Sequence, residues 1–189
     1  KMPIETNELL DIHYKLIEKN NLIEGLVYLQ ISRGEDDRSF DYPDSDVKPT
    51  IVLFTQVKSL QESNLSKNGM KVISVPDIRW ARRDIKTVQL LAPSMCKMMA
   101  KKSNKDDAWM VQDGFVTEGT SNNAHIITKD NVLVTRNLSN DILAGVTRRS
   151  ILKYAKEAQI KVFLPAEIDT VDIRNIAVGG FEIRHIDLK

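Results

Sequence analysis

Ala108-Trp109-Met110-Val111-Gln112-Asp113-Gly114-Phe115-Val116-Thr117-Glu118 reads as two short strands joined by a tight turn. Asp-Gly supplies the positive φ values that a two-residue hairpin turn requires. Strands joined this way pair antiparallel, whereas parallel neighbours need a long crossover. Ala124–Thr128 and Val132–Thr135, around Lys129-Asp130-Asn131, repeat the pattern downstream. Upstream, Lys71–Val75 alternates like a strand, and Gly25–Gly34 and Thr50–Gln56 are strands dense in β-branched residues. Apolar spacing predicts helices over Glu5–Lys19, Thr87–Lys101 and Thr147–Gln159, with a strand near Lys161–Leu164. Val178-Gly179-Gly180-Phe181 looks like a turn before a last strand. Helices mixed with sequence-adjacent strand pairs predict an α+β fold. The polar stretch Lys58–Asn68 is the best linker, which divides the chain into domains 1–60 and 61–189.

Composition excludes several classes. A net charge of +1 gives no reason to expect a nucleic-acid partner. No apolar run approaches the roughly 20 residues of a membrane span. The start, Lys1-Met2-Pro3-Ile4-Glu5, lacks the apolar core of a signal peptide. The single cysteine, Cys96, excludes a disulfide within the chain and suits a reducing cytoplasm. Cys96 is expected to be a small buried residue, not a nucleophile. Lys97, Lys101 and Lys102 read as the solvated end of a helix. No metal site is expected.

Three segments carry chemistry. In Asp77-Ile78-Arg79-Trp80-Ala81-Arg82-Arg83-Asp84-Ile85-Lys86-Thr87, Lys86 lies among three arginines. Neighbouring cations push a lysine toward the free amine, which is the nucleophile. In Val116-Thr117-Glu118-Gly119-Thr120-Ser121-Asn122-Asn123, Glu118 ends a strand before a turn of small polar residues able to donate to an anion. In Asn140-Asp141-Ile142-Leu143-Ala144-Gly145-Val146-Thr147-Arg148, Gly145 permits close backbone approach and Thr147 is placed to cap the following helix. Helix N-termini bind phosphate. Taken singly, each segment is more simply a surface patch, a turn and a helix start.

In this order and at these separations, Arg-Asp-Ile-Lys, Thr-Glu-Gly-Thr-Ser-Asn and Gly-Val-Thr-Arg resemble the class IV pyridoxal-phosphate aminotransferases. The family includes D-amino-acid aminotransferases, branched-chain aminotransferases and aminodeoxychorismate lyase, and the resemblance spans Lys1 to about Val162. It implies the fold type IV architecture, in two domains with the small one incomplete. It implies pyridoxal 5′-phosphate as cofactor and Lys86 as the catalytic lysine that carries it as a Schiff base. Glu118 matches the carboxylate that pairs with the pyridine nitrogen. Gly145, Val146 and Thr147 match the phosphate cup, Ser121 and Asn122 the turn lining the cofactor, and Leu143 a residue packed on the ring face. Arg148 matches a family arginine of structural role.

Val27–Gly34 followed by Arg38-Ser39-Phe40-Asp41-Tyr42-Pro43 resembles the D-amino-acid branch. Arg38 matches the arginine that binds the substrate α-carboxylate, a task suited to a guanidinium fork. Phe40 stands where many D-alanine aminotransferases carry histidine. The family's chains are longer at the N-terminus, and the tail Phe163–Lys189 does not match the family's last phosphate-site segment. The resemblance thus implies a transaminase acting between a D-amino acid such as D-alanine and a 2-oxo acid by a ping-pong mechanism, a cytoplasmic homodimer. The alternatives are a branched-chain aminotransferase, an aminodeoxychorismate lyase, or an inactive fragment.

Overall fold

The computed structural model describes residues 2–59, 62, 65 and 68–165, and the backbone of 183–185. The chain forms two compact units, Lys1–Lys67 and Asn68–Lys189.

In the first unit, helix α1 spans Thr6–Lys19 and lies against strands β1 (Gly25–Ile31) and β2 (Ile51–Val57). The strands pair antiparallel from Gly25 opposite Val57 to Ile31 opposite Ile51. Tyr28 stacks on Phe54 across the pair, with ring centroids 4.8 Å apart, a cross-strand contact that helps fix the register. Gly25 is needed here, because a Cβ would strike the Gln56 carbonyl on the facing strand. The segment between β1 and β2 holds no helix or strand, as its repeated aspartates and Pro43 predict. The predicted linker Lys58–Asn68 lies largely outside the described residues.

The second unit is built from β3 (Val72–Pro76), α2 (Leu91–Lys102), β4 (Asp107–Gln112), β5 (Phe115–Gly119), β6 (Ile126–Ile127), β7 (Leu133–Val134), α3 (Val146–Glu157), β8 (Val162–Phe163) and β9 (Ile183–His185). One sheet has the order β5-β4-β3-β9 and a second the order β6-β7-β8. The Asp-Gly hairpin is present: β4 and β5 are antiparallel, and Asp113 and Gly114 take φ of 54° and 86°. The second hairpin pairs β6 with β7. Both sheets also contain parallel pairs that the sequence did not announce. β3 pairs parallel with β4 and β9, and β7 pairs parallel with β8. Helices α2 and α3 are the crossovers that parallel neighbours require. Strand β9 follows Val178–Phe181; the turn predicted there lies outside the described residues.

Two predicted helix starts need correction. α2 begins at Leu91, not Thr87. Pro93 has no N–H, so a helix already formed at Gln89 would lose the bond from residue 93 and clash with its ring. With Leu91 as the start, Pro93 falls in the first turn, where the missing N–H costs nothing. Thr147 does not cap α3. Gly145 occupies the cap position with extended backbone, no side chain caps the helix, and Thr147 lies inside the first turn.

The core sits between α2 and the first sheet, where Ile73, Val75, Cys96, Ala100, Ala108 and Met110 form one buried cluster. Cys96 is therefore a packing residue, and burial pushes its thiol pKa up. Lys97, expected to be solvated, keeps its side chain 41% exposed and also pairs with the buried Asp107 at 3.2 Å. A second cluster of Val116, Ala124 and Ile126, with Trp109, Val111 and Val134 against it, ties the two hairpins together. Among the described residues no helix is long and apolar enough to cross a membrane.

Candidate active site

An open cleft of roughly 1560 Å³ in the second unit is lined by the three chemistry-bearing segments. Lys86, Glu118, Ser121, Asn122, Leu143, Gly145, Val146 and Thr147 all face it. Arg38 lies in the first unit, exposed on the β1–β2 segment beside a fully exposed Phe40. That segment is braced by Arg33 stacked over the Tyr42 ring at 4.0 Å.

Lys86 is exposed at the cleft wall. The loop that carries it is pinned by Arg83, whose backbone N–H donates to the Asn140 carbonyl at 2.9 Å. The Arg83 guanidinium pairs with Asp77 at 3.1 Å and Asp141 at 2.9 Å. These bonds join the lysine loop to the segment that leads into α3. The expected cluster of free cations around Lys86 does not form. Arg79 pairs with Asp77 and Glu118, Arg82 with Asp84, and Arg83 with Asp77 and Asp141. Each arginine in the run has its own carboxylate, so these cations serve as braces.

Glu118 is 5% exposed. Its Oε1 accepts from Arg79, and its Oε2 accepts from Asn123 at 2.9 Å and from the Leu143 backbone N–H at 3.1 Å. Burial is the largest influence and pushes its pKa above the ordinary carboxylate value, against the hydrogen bonds and charge of Arg79. Arg79 is itself gripped from behind by Asp77, at 2.9 Å on Nε and 2.7 Å on the terminal nitrogen. The Asp77 side chain is fully buried and also accepts the Thr117 hydroxyl at 2.6 Å. Arg83, Asp77, Arg79 and Glu118 thus form one continuous chain of buried charge ending at the cleft.

The turn after β5 is tethered by Asp107, 1% exposed, which accepts from the Thr120 hydroxyl and from Asn122 Nδ2 at 2.8 Å. The Asn122 amide is therefore turned inward, while Ser121 is exposed on the cleft. Asn123 reaches the other way, donating to Glu118 and to the Leu143 carbonyl, both at 2.9 Å. A Cβ at Gly145 would collide with the Asn123 amide. Glycine there lets the start of α3 approach the turn. The α3 N-terminus then opens on the cleft with uncapped amides.

The functional partners missed from sequence are Arg79, Asp77 and Asn123. Arg79 and Asp77 looked like members of a charge run, and Asn123 like the end of a turn. Arg79 meets Glu118 across 39 residues of sequence, a separation no local spacing announces.

The sequence model of the amino-transferase class IV family matches residues 1–177. The chain belongs to the class IV aminotransferases. This aminotransferase chain is 38% identical over 169 residues to a D-alanine aminotransferase of Staphylococcus aureus (strain MSSA476), covering 89% of this chain and 58% of that one. It thus spans little more than half the length of the curated relative it matches. In structure it is similar to a putative 4-amino-4-deoxychorismate lyase from Legionella pneumophila, with a TM-score of 0.76 at 20% identity, covering 100% of this chain and 71% of that one. It is also similar to the PLP-form (holo-form) of a branched-chain amino acid aminotransferase from Thermobaculum terrenum, with a TM-score of 0.70 at 17% identity, covering 89% of this chain and 56% of that one. These likenesses establish the aminotransferase chain's fold as that of the fold type IV enzymes.

Proposed function

We propose that the protein is a pyridoxal-phosphate-dependent transaminase that exchanges the amino group of a D-amino acid, such as D-alanine, for the oxo group of a 2-oxo acid by a ping-pong mechanism. One observation carries this: Lys86, the buried Glu118 and the uncapped start of α3 share a single cleft. The residues present fit the cofactor. The cleft offers an amine for an aldehyde, a buried carboxylate for a ring nitrogen, and helix amides for a phosphate. The D-amino-acid branch is supported by the 38% identity to a D-alanine aminotransferase and by Arg38.

Pyridoxal phosphate, when bound, supplies an electron sink for the bond-breaking at the substrate Cα. The chain's residues then have separate tasks. Lys86 Nζ would hold the cofactor covalently and is the amine placed to move the proton at the substrate Cα. The Glu118 carboxylate, fixed by Arg79, Asn123 and Leu143, favours a protonated ring nitrogen. The amides of Val146 and Thr147 and the Thr147 hydroxyl would bind the phosphate, while the Gly145 N–H, which donates to the Leu143 carbonyl at 2.8 Å, holds the turn before them. The turn at Ser121 and Asn122 lines the opposite side, and Leu143 packs on the ring face. Arg38 pairs with the substrate α-carboxylate. The protein works as a homodimer in the cytoplasm, a reading that rests on the family alone.

A substrate panel of D-alanine, L-leucine and aminodeoxychorismate tests the proposal, with 2-oxoglutarate as acceptor for the two amino acids. Turnover with D-alanine, lost in Lys86→Ala, is expected. Turnover with L-leucine alone would move the protein to the branched-chain enzymes, and lyase activity alone to the aminodeoxychorismate lyases.

A further inference from the structure

Arg79, Arg83 and Arg148 at the wall of the cleft and Arg136 beyond it are buried or nearly so. The carboxylates that meet these guanidiniums are Asp77, Glu118 and Asp141. Asp77 takes Arg79 and Arg83, Glu118 takes Arg79, and Asp141 takes Arg83 and Arg136, the last at 2.9 Å. Among the described residues Arg148 has no carboxylate. One terminal nitrogen donates to the Arg136 carbonyl at 2.9 Å, and its Nε is buried without a partner. Arg148 is only 6% exposed, and an unpaired ion taken out of water is strongly unfavourable.

Its place on the helix makes this worse. Arg148 lies in the first turn of α3, at the positive end of the helix dipole, which favours anions and opposes cations. That turn contains no acidic residue, and Arg149 follows. His125, whose Nε2 is also buried and unpartnered, offers no relief: burial, with Arg148's charge adding to it, holds its pKa below the ordinary 6.5, toward the neutral form. Burial likewise pushes the Arg148 pKa down from its ordinary value. Arg148 lines the same cleft as the α3 amides. A doubly charged anion at those amides would bond the helix end and offset the nearby charge of Arg148 through space.

We infer that Arg148 is a counter-charge of the phosphate group, kept without a carboxylate of its own so that the empty site is charge-frustrated and a bound phosphate relieves it. The inference rests on the pyridoxal-phosphate reading for the phosphate's source, and assigns to Arg148 an electrostatic task in place of a purely structural one.

Inorganic phosphate is the probe. The full chain, stripped of cofactor, is melted in chloride and in phosphate at matched ionic strength. Phosphate is expected to raise the melting temperature of the wild type. Arg148→Lys should keep that shift. Arg148→Gln, which retains a donor for the Arg136 carbonyl, should lose it, with phosphate affinity at least about tenfold weaker. In chloride the glutamine variant should melt at or above the wild type. An equal phosphate shift in Arg148→Gln, or none in the wild type, would overturn the inference. Should the glutamine variant not fold, His125→Glu supplies a carboxylate at a position that already feels the charge of Arg148. It should raise melting in chloride and cancel the phosphate shift, and a full shift retained there would also overturn the inference. Borohydride fixation of pyridoxal phosphate on Lys86 separates the two claims. Fixation with an unchanged phosphate response in Arg148→Gln removes the role of Arg148 and leaves the cofactor reading standing. A lost response without fixation removes the cofactor reading and leaves Arg148 as a counter-charge of another phosphate ligand.

Discussion

At the residue scale, Asp77 and Glu118 occupy one buried chain of charge and respond to pH with opposite signs. Burial pushes Asp77 up, but the hydrogen bonds of Arg79 and Thr117 and the charge of Arg79 outweigh it and hold its carboxyl below the ordinary 3.8. As pH falls, the unfolded chain therefore takes up this proton first. The stabilisation is present above about pH 3.8 and is lost as pH drops through the folded value. Glu118 is raised above 4.5, so its contribution is present below that pH and fades as pH rises through the folded value. Asp77→Asn should cost about 1–3 kcal/mol at neutral pH by urea unfolding, because it removes the buried carboxylate that Arg79 and Arg83 share and leaves them only Glu118 and Asp141. It should also flatten the loss of stability in acid, and a variant as stable as the wild type at pH 7 would contradict the network. Glu118→Gln removes a charge that burial penalises, so its fold should survive, while kcat drops by roughly 10²-fold or more. A drop confined to KM would show that Glu118 only binds.

At the scale of elements, the sequence was most informative where the signal is local. The Asp113-Gly114 hairpin was legible because only certain residues tolerate its positive φ values. Helix α1 was legible from its apolar spacing. The parallel pairs β3–β4, β3–β9 and β7–β8 were not, because a crossover leaves no mark at the strands it joins. Thr147 misled for a related reason: hydroxyl residues suit caps, but a helix that presents its first amides to a ligand gains from leaving them uncapped. The packing of α2 on the sheet makes a firm prediction. Met110 is fully buried among Ile73, Val75, Cys96 and Ala100. Met110→Ala should cost about 2–5 kcal/mol. Chemical unfolding should show this as a lower midpoint with an unchanged m-value; a shift under about 0.5 kcal/mol, the range of surface changes, would mean that α2 does not seal this core.

At the scale of the whole molecule, the site's contiguous parts could be read from sequence and its long-range braces could not. Lys86, Glu118 and Gly145–Thr147 each sit in a short motif, so their order along the chain was enough to propose them together, and they line one cleft. Asp77, Arg79 and Asn123 act through contacts that only folding creates, such as the reach of Arg79 to Glu118. The family match spans residues 1–177, and the proposal of a homodimer follows from the family. Sedimentation velocity on the purified protein should give twice the chain mass, and a monomer at micromolar concentration would contradict that proposal. The central claim concerns one atom, Lys86 Nζ. The most direct test is to add pyridoxal phosphate, reduce with borohydride, digest, and map the added mass by tandem mass spectrometry. The account predicts the phosphopyridoxyl group on Lys86, with no fixed label in Lys86→Ala. Label spread over exposed lysines, or retained in full in that variant, would contradict it.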